Sequence, residues 1–359
     1  MIQLDPKPLI FDLCLTELEN ILLSWGEPGY RAQQIWQGIY QQLWIDIDDF
    51  SPLPISLREK ISDRFSFQSL HPVLTLSSKD GETVKTLFTL PDQRGIEAVW
   101  MGYSRRNTLC ISSQSGCAMG CVFCATGQMG FKRNLTSGEI IEQVLHYARQ
   151  LKATGKAVTN VVVMGMGEPF HNYESTLEAL DRLNMSDGFN MGARRFTIST
   201  VGIVPALQRF TRENRQYNLA ISLHAADDEL RSSLLPVNRK YPLASLFHEI
   251  KEYVHRTRRR ITIEWAMIND VNDTIDQAKK LAHLLNGLLC HVNIIPLNPT
   301  RSFRGVASPQ QRLTAFKAEL ERQGIPCTIR LRKGIDIQAG CGQLAVENSV
   351  EHQRSSSRE

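Results

Sequence analysis

Three cysteines spaced as Cys117-x3-Cys121-x2-Cys124 lie on one glycine-containing loop with no fourth cysteine near. No other feature of the chain restricts its structure as much. A structural zinc site takes four closed protein ligands, commonly as two paired knuckles, and this loop offers three. Soft thiolates in a tight loop suit an iron–sulfur cluster, and a [4Fe–4S] cube held by three cysteines leaves one iron open to bind something else. Two alternatives stay open on the residues alone: a zinc site that borrows a distant ligand such as His146, and a loop that is merely cysteine-rich.

The 359 residues exceed the usual size of a single core, so one large α/β domain with an accessory piece is expected. Eight irregularly spaced cysteines do not make a secreted disulfide framework, and a reducing, cytoplasmic setting fits them. No apolar run approaches the ~18 residues needed to cross a bilayer, so no membrane is expected. A formal charge of +4 excludes little. Its distribution says more: basic clusters stand at Lys132-Arg133, Arg194-Arg195, Arg239-Lys240, Arg256, Arg258-Arg259-Arg260, and Arg330 with Arg332-Lys333. Gathered on one face they could neutralise phosphates; dispersed, they are ordinary solvated charge.

Residues 1–70 read as a helical accessory domain. Leu15, Leu18, Ile21 and Leu22 recur at helical spacing, as do Ile35, Trp36, Ile39 and Leu43, with Gly26-Glu27-Pro28-Gly29 between them. Residues 71–102 switch to short β-rich runs, and Asp80-Gly81 signals a hairpin between the first two. From 103 to 336, strand and helix alternate. Thr136-Ser-Gly-Glu139 is a capping box that opens a helix, and apolar runs at 160–165, 196–201, 219–223, 261–266 and 291–297 each precede a helix-like segment. With a strand at 108–113 these form six βα units, and a run at 327–331 adds a seventh strand. The expected fold is an α/β partial (βα)6 barrel, favoured over a doubly wound sheet because the cysteine loop follows the first strand. Residues 337–346 form a C-terminal loop, and 347–359 read as a disordered tail.

In such a barrel, ligand residues gather where strands end. The second strand ends in Met164-Gly-Met-Gly-Glu-Pro169, whose glycines allow close backbone approach and whose Glu168 is an acceptor; a tight turn is the plain alternative. Ser199, Ser222, His224 and Asn298 stand at equivalent ends of later strands, and their repetition favours a shared cavity. Cys341 lies between two glycines, an unusual place for a packing cysteine, while Cys110 sits in an apolar strand. Cys14, Cys290 and Cys327 read as structural.

The cysteine spacing, with Phe123 inside it, is similar to the signature of radical S-adenosylmethionine enzymes. Thr108-Leu-Cys-Ile-Ser-Ser-Gln-Ser-Gly-Cys117, Cys124-Ala-Thr-Gly-Gln, Gly165-Met-Gly-Glu-Pro, Ser222-Leu-His-Ala, Val292-Asn-Ile-Ile-Pro and Gly340-Cys-Gly-Gln-Leu together extend the likeness. The chain resembles, over about residues 12–346, the RlmN/Cfr family of radical methyl synthases that act on RNA adenosines.

That resemblance implies one [4Fe–4S] cluster on Cys117, Cys121 and Cys124, and S-adenosylmethionine held by Gly167, Glu168, Ser199, Ser222, Leu223, His224 and Asn298. It implies that Cys341 is methylated, that a radical abstracts hydrogen from the S-methyl group, and that the product leaves as Cys341 forms a transient disulfide with Cys110. The proton acceptor carries over to Glu97, its share of the work with Cys110 left undivided. Both cysteines should then lie in polar or cationic surroundings. The implied partners are 23S rRNA, tRNA as a second substrate and an electron donor such as a flavodoxin, with a monomeric enzyme. Gly167-Glu-Pro169 and Asn172 resemble the branch that methylates C2 of adenosine; C8 methylation is the alternative. The run beginning Glu264-Trp-Ala-Met and the glycine at 340 depart from the common pattern, at positions expected not to touch a ligand.

Overall fold

Helical periodicity near the N-terminus produces three short amphipathic helices, α1 (Leu15–Ser24), α2 (Tyr30–Gln37) and α3 (Ile55–Arg64). The computed structural model describes residues 7–345, so the tail expected at 347–359 lies outside the described residues. Leu18, Leu22, Ile35, Trp36, Leu57 and Ile61 are buried. Cys14 is structural in a specific way: its Sγ accepts from Glu17 N at 3.4 Å, while the Glu17 carboxylate accepts from Cys14 N at 2.7 Å, capping α1.

A meander follows, β1 (His71–Ser77), β2 (Thr83–Thr89) and β3 (Gly95–Tyr103), with Gly81 at φ +67° in the first turn. β3 pairs antiparallel with β4 (Arg106–Ile111). After β4 comes a small hairpin, β5 (Gln114–Gly116) and β6 (Phe131–Asn134), whose connecting loop carries the three cysteines and a single-turn helix, α4 (Ala125–Gln128). α5 (Ser137–Ala153) starts at the expected capping box: Glu139 N donates to Thr136 Oγ1 at 3.2 Å, and Thr136 N donates to the Glu139 carboxylate at 3.0 Å.

Five more strands then alternate with helices. They are β7 (Asn160–Val163) before α6 (Tyr173–Asn184), β8 (Phe196–Thr200) before α7 (Val204–Glu213), and β9 (Asn218–Ser222) before α8 (Asp228–Leu234) and α9 (Leu243–Thr257). β10 (Ile261–Met267) precedes α10 (Ile275–Leu285), β11 (Cys290–Pro296) precedes α11 (Gln310–Arg322), and β12 (Cys327–Ile329) ends the series. The ten-stranded sheet runs β1-β2-β3-β4-β7-β8-β9-β10-β11-β12, parallel from β4 onward. Its order never reverses, whereas a doubly wound sheet needs a reversal to place helices on both faces. The result is a partial barrel of six βα units and a final strand.

The strand runs that read as continuously apolar are in fact alternating. Val161, Val163, Ile198, Leu219, Ile221, Ile263 and Val292 are buried under the helices. Asn160, Thr197, Asn218, Thr262, Glu264, His291 and Asn293, between them, line a polar hollow on the concave side. A closed barrel fills its interior with layers of bulky apolar side chains; this one keeps it open.

Two clamps fasten the other segments to the barrel. Arg182 of α6 donates to Phe11 O at 2.5 Å and Asp12 O at 2.8 Å, and the buried Glu142 accepts from Ser69 N, Ser69 Oγ and Leu70 N. Beyond β12, the chain crosses to the meander: Lys333 Nζ donates to Gly102 O at 2.6 Å, and Lys79 N donates to Asp336 Oδ2 at 2.9 Å.

Candidate active site

The cysteine loop is shaped by its own hairpin. Gly116 takes φ +72° and lies so close to β6 that an added Cβ would stand 1.9 Å from Gly130 O. Val122 N donates to Leu234 O at 3.1 Å, tying the loop to α8. Phe123 turns its ring edge to His224 at 4.9 Å, anchoring the motif on β9's end. Burial pushes the Cys117 thiol up to about 12 and raises Cys121 and Cys124 as well. A nearby positive metal charge offsets that penalty and releases the protons. Among the described residues no three His, Cys, Asp or Glu side chains converge on a point that one ion could occupy. His146, the distant residue that a zinc site could have borrowed, packs edge-on against Phe88 and meets Gln150.

The thiols line a cavity of ≈150 Å³ together with Gly167, Glu168, Ser199, Ser222, His224, Asn298 and Cys341. Leu223 is absent from this lining: its side chain belongs to the core, and its carbonyl accepts from Arg231 Nε at 3.2 Å. Both Glu168 oxygens are engaged, accepting from Phe170 N and Val201 N at 2.9 Å each. Burial raises this carboxyl to about 7. Gly167 owes its glycine to protein packing more than to a ligand, since at φ +103° a Cβ would lie 2.6 Å from Gln114 Cβ. The Ser199 and Ser222 hydroxyls lie 3.3 Å apart. His224, at φ +61°, accepts from Ala266 N at Nδ1 at 2.9 Å. Burial, then the charge of Arg231, lowers its pKa to about 3, so the ring is neutral with its proton on Nε2. Asn298 Oδ1 is a buried acceptor with no hydrogen-bond partner among the described residues. A thiol triad beside hydroxyls, an imidazole and an unmatched amide oxygen fits a cluster with a polar, amino-acid-bearing nucleoside.

The C-terminal loop lies directly over the cysteine loop. Ala125 N donates to Gly342 O at 2.8 Å, Thr126 Oγ1 to Leu344 O at 2.7 Å, Asn298 Nδ2 to Cys341 O at 3.1 Å, and Gln343 Nε2 to Pro299 O at 3.0 Å. A Cβ at Gly340 would stand 2.5 Å from Asn298 Nδ2, so a larger residue there would press on the Asn298 amide. Cys341 also borders a second, smaller cavity of ≈30 Å³ with Cys110, Met101, Tyr103 and Arg330. It is therefore shared between the cysteine triad and Cys110, and all eight cysteines are free thiols.

The expectation of polar or cationic surroundings for both reactive cysteines turns on Arg330, which lines the smaller cavity with the two of them. Cys110 is buried, and desolvation outweighs Arg330 to push its thiol up to about 12. Glu97 lines neither cavity; its Oε2 accepts from Ala345 N at 2.9 Å, and its Oε1 lies 3.4 Å from Lys85 Nζ. Sequence reasoning misses Lys85; a lysine third in the strand Thr83–Thr89, just before the run Thr86–Leu90, was the available signal. Glu264 was expected away from ligands, yet it lines the cavity.

Fold and thiol loop together define a class, the radical S-adenosylmethionine enzymes. Residues 111–285 match the model of the Radical SAM superfamily, and residues 10–66 match the ribosomal RNA large subunit methyltransferase N-terminal domain. The chain is 45% identical over 352 residues to a protein of Chloroflexus aurantiacus named "Probable dual-specificity RNA methyltransferase RlmN", spanning 95% of this chain and 93% of that one. It is 43% identical to a protein of the same name from Geobacillus kaustophilus, spanning 97% and 95%. The crystal structure of a radical SAM methyltransferase from Sphaerobacter thermophilus superposes with a TM-score of 0.92 at 48% identity, over 94% of this chain and 99% of that one. The chain belongs to the RlmN family of radical S-adenosylmethionine RNA methyltransferases. Among the described residues, no helix is long and apolar enough to cross a membrane.

Proposed function

We propose that this enzyme methylates C2 of adenosine in 23S rRNA and tRNA, using a [4Fe–4S] cluster on Cys117, Cys121 and Cys124 and S-adenosylmethionine beside it. The observation that carries the reading is the position of Cys341, bordering both the thiol-triad cavity and the cavity of Cys110. The ring carbon of adenine is not nucleophilic, so a displacement cannot methylate it. Bound in the cavity, cluster and cofactor would supply a methyl group for ordinary displacement and a carbon radical able to abstract hydrogen.

The chain's own residues do the rest. Cys341, beside Arg330 in the smaller cavity, takes the methyl group and carries it to the base. Gly167, Ser199, Ser222, His224 and Asn298 hold the cofactor where the abstracted hydrogen lies on that S-methyl. Once the methylene carbon is bonded to the ring carbon, Cys110 as thiolate attacks the Cys341 sulfur; the sulfur–carbon bond breaks with its electron pair on that carbon, which takes a proton to become the methyl group, and the two sulfurs are left as a disulfide that an external reductant reopens. Glu97 accepts the ring proton after the 334–345 loop shifts, because in the present arrangement Ala345 N–H and Lys85 engage it. An electron donor such as a flavodoxin serves the cluster.

RNA docks on the opposite mouth of the barrel. There Arg106, Arg194, Arg258, Arg259 and Arg260 surround a basin of ≈800 Å³. Met164, Glu264 and Arg330 line both this basin and the thiol cavity, giving an unstacked base a way in. The C2 assignment rests on the likeness to RlmN-named relatives. Anaerobically reconstituted protein incubated with unmodified 23S rRNA and tRNA, followed by mass spectrometry of nucleosides, tests it. 2-Methyladenosine supports the reading, 8-methyladenosine replaces the target carbon, and unmodified RNA overturns it.

A further inference from the structure

Glu264 stands midway along β10 on the inner wall, 4% exposed, at the junction where the arginine basin meets the thiol cavity. Its Oε1 accepts from Asn293 Nδ2 on the neighbouring strand at 3.1 Å. The orientation of that amide is fixed in turn, since Asn293 Oδ1 accepts from Thr328 Oγ1 at 2.9 Å. Glu264 Oε2 is buried and has no hydrogen-bond partner among the described residues; burial raises this carboxyl, and the charge of Arg330, which lines both cavities with it, opposes that shift without supplying a hydrogen bond. Buried carboxylate oxygens are normally matched by donors, and one left unmatched in a cavity wall points to a donor on the ligand.

We infer that Glu264 Oε2 receives the exocyclic amino group of the adenine to be methylated, and so selects adenine over other purines at this site. The inference rests on the RNA-adenosine reading above. At position 6, adenine presents N–H donors, whereas guanine and hypoxanthine present a carbonyl acceptor that a carboxylate oxygen repels. S-adenosylmethionine carries an adenine too, so the same donor has two sources. The basin favours the RNA base: Glu264 lines it, with Arg258, Arg259 and Arg260 placed for flanking phosphates. Ser199, Ser222 and Asn298 lie on the thiol side, outside that basin.

Glu264→Gln is the informative variant. Asn293 Nδ2 must still face an acceptor, so the new amide turns its carbonyl to Asn293 and its NH2 into the place of Oε2, setting donor against donor. The variant and wild type are compared on RNA carrying adenosine, purine riboside (no 6-substituent) or inosine at the target position. E264Q should slow adenosine methylation about ten- to hundredfold, the worth of one hydrogen bond to a charged group. Wild type should lose a similar factor on purine riboside, the two losses should not add, and inosine should regain activity in E264Q only. Methylation of Cys341 and RNA-free cleavage of S-adenosylmethionine should match wild type. Equal slowing on adenosine and purine riboside overturns the inference. Impaired Cys341 methylation also overturns it, assigning the oxygen to the cofactor's adenine. Glu264→Asp, which keeps the charge but retracts it, repeats the purine-riboside comparison should E264Q fail to fold. Absence of any methylated adenosine from wild type would instead remove the parent reading.

Discussion

Lys85 and Glu97 face each other from neighbouring antiparallel strands with Nζ 3.4 Å from Oε1, at 2% and 0% side-chain exposure. Each also grips the loop that bears Cys341: Lys85 Nζ donates to Gln338 O at 3.2 Å, and Glu97 Oε2 accepts from Ala345 N. Removing one partner of a buried pair strands the other charge, which costs about 3–5 kcal/mol. Lys85→Met should therefore destabilise the protein by about that amount in urea unfolding. Adding Glu97→Gln to K85M should recover part of the loss, and simple additivity of the two changes would contradict the pairing.

Metal content separates the roles of the cysteines. Cys121→Ala should lose iron and the visible absorbance of the cluster along with RNA methylation. Cys341→Ala should keep iron close to the wild-type ratio and still yield no methylated RNA. Colorimetric iron assay with product mass spectrometry reads both, and an active C341A would contradict the methyl-carrier role.

His224 makes stability depend on pH. Its folded pKa, about 3, lies below the ordinary 6.5, so between these values the unfolded chain binds a proton that the folded chain refuses. Stability should fall as pH drops from 6.5 toward 3, by up to about 1.4 kcal/mol per pH unit from this one group. Above pH 6.5 it adds no slope. Denaturant titrations of wild type and His224→Asn, a residue that tolerates the positive φ, should differ in slope by about one proton in that window.

The arginine basin should reveal itself through salt. Every phosphate that a variant no longer neutralises lowers the slope of log affinity against log salt by about 0.7–0.9. Arg194→Gln with Arg260→Gln should weaken RNA binding and flatten that slope by about 1–2, measured by filter binding. RNA-free cleavage of S-adenosylmethionine should be unchanged.

Local signals were legible in the chain itself. The spacing of Cys117, Cys121 and Cys124 is a property of one loop, the Thr136–Glu139 capping box of four adjacent residues, and the βα alternation of short windows, so each could be read without knowing what packs against what. The fold class follows from that alternation. The concave and convex faces were less legible, because one apolar–polar alternation, such as Asn160-Val-Val-Val163, passes for a continuous apolar run when the polar residues are few.

What only the tertiary structure decided is which distant residues share a wall. Cys341 meets the cysteine loop because Ala125 and Thr126 hold its loop there by hydrogen bonds across the length of the domain. Glu264 becomes a cavity residue because β10 turns it inward beside Asn293, and Glu97 is enclosed because Lys85 and Ala345 arrive from separate segments. Spacing along a chain specifies contacts only within a turn or a loop; the burial that sets a carboxylate's partners and charge exists only once strands far apart in sequence have been laid side by side.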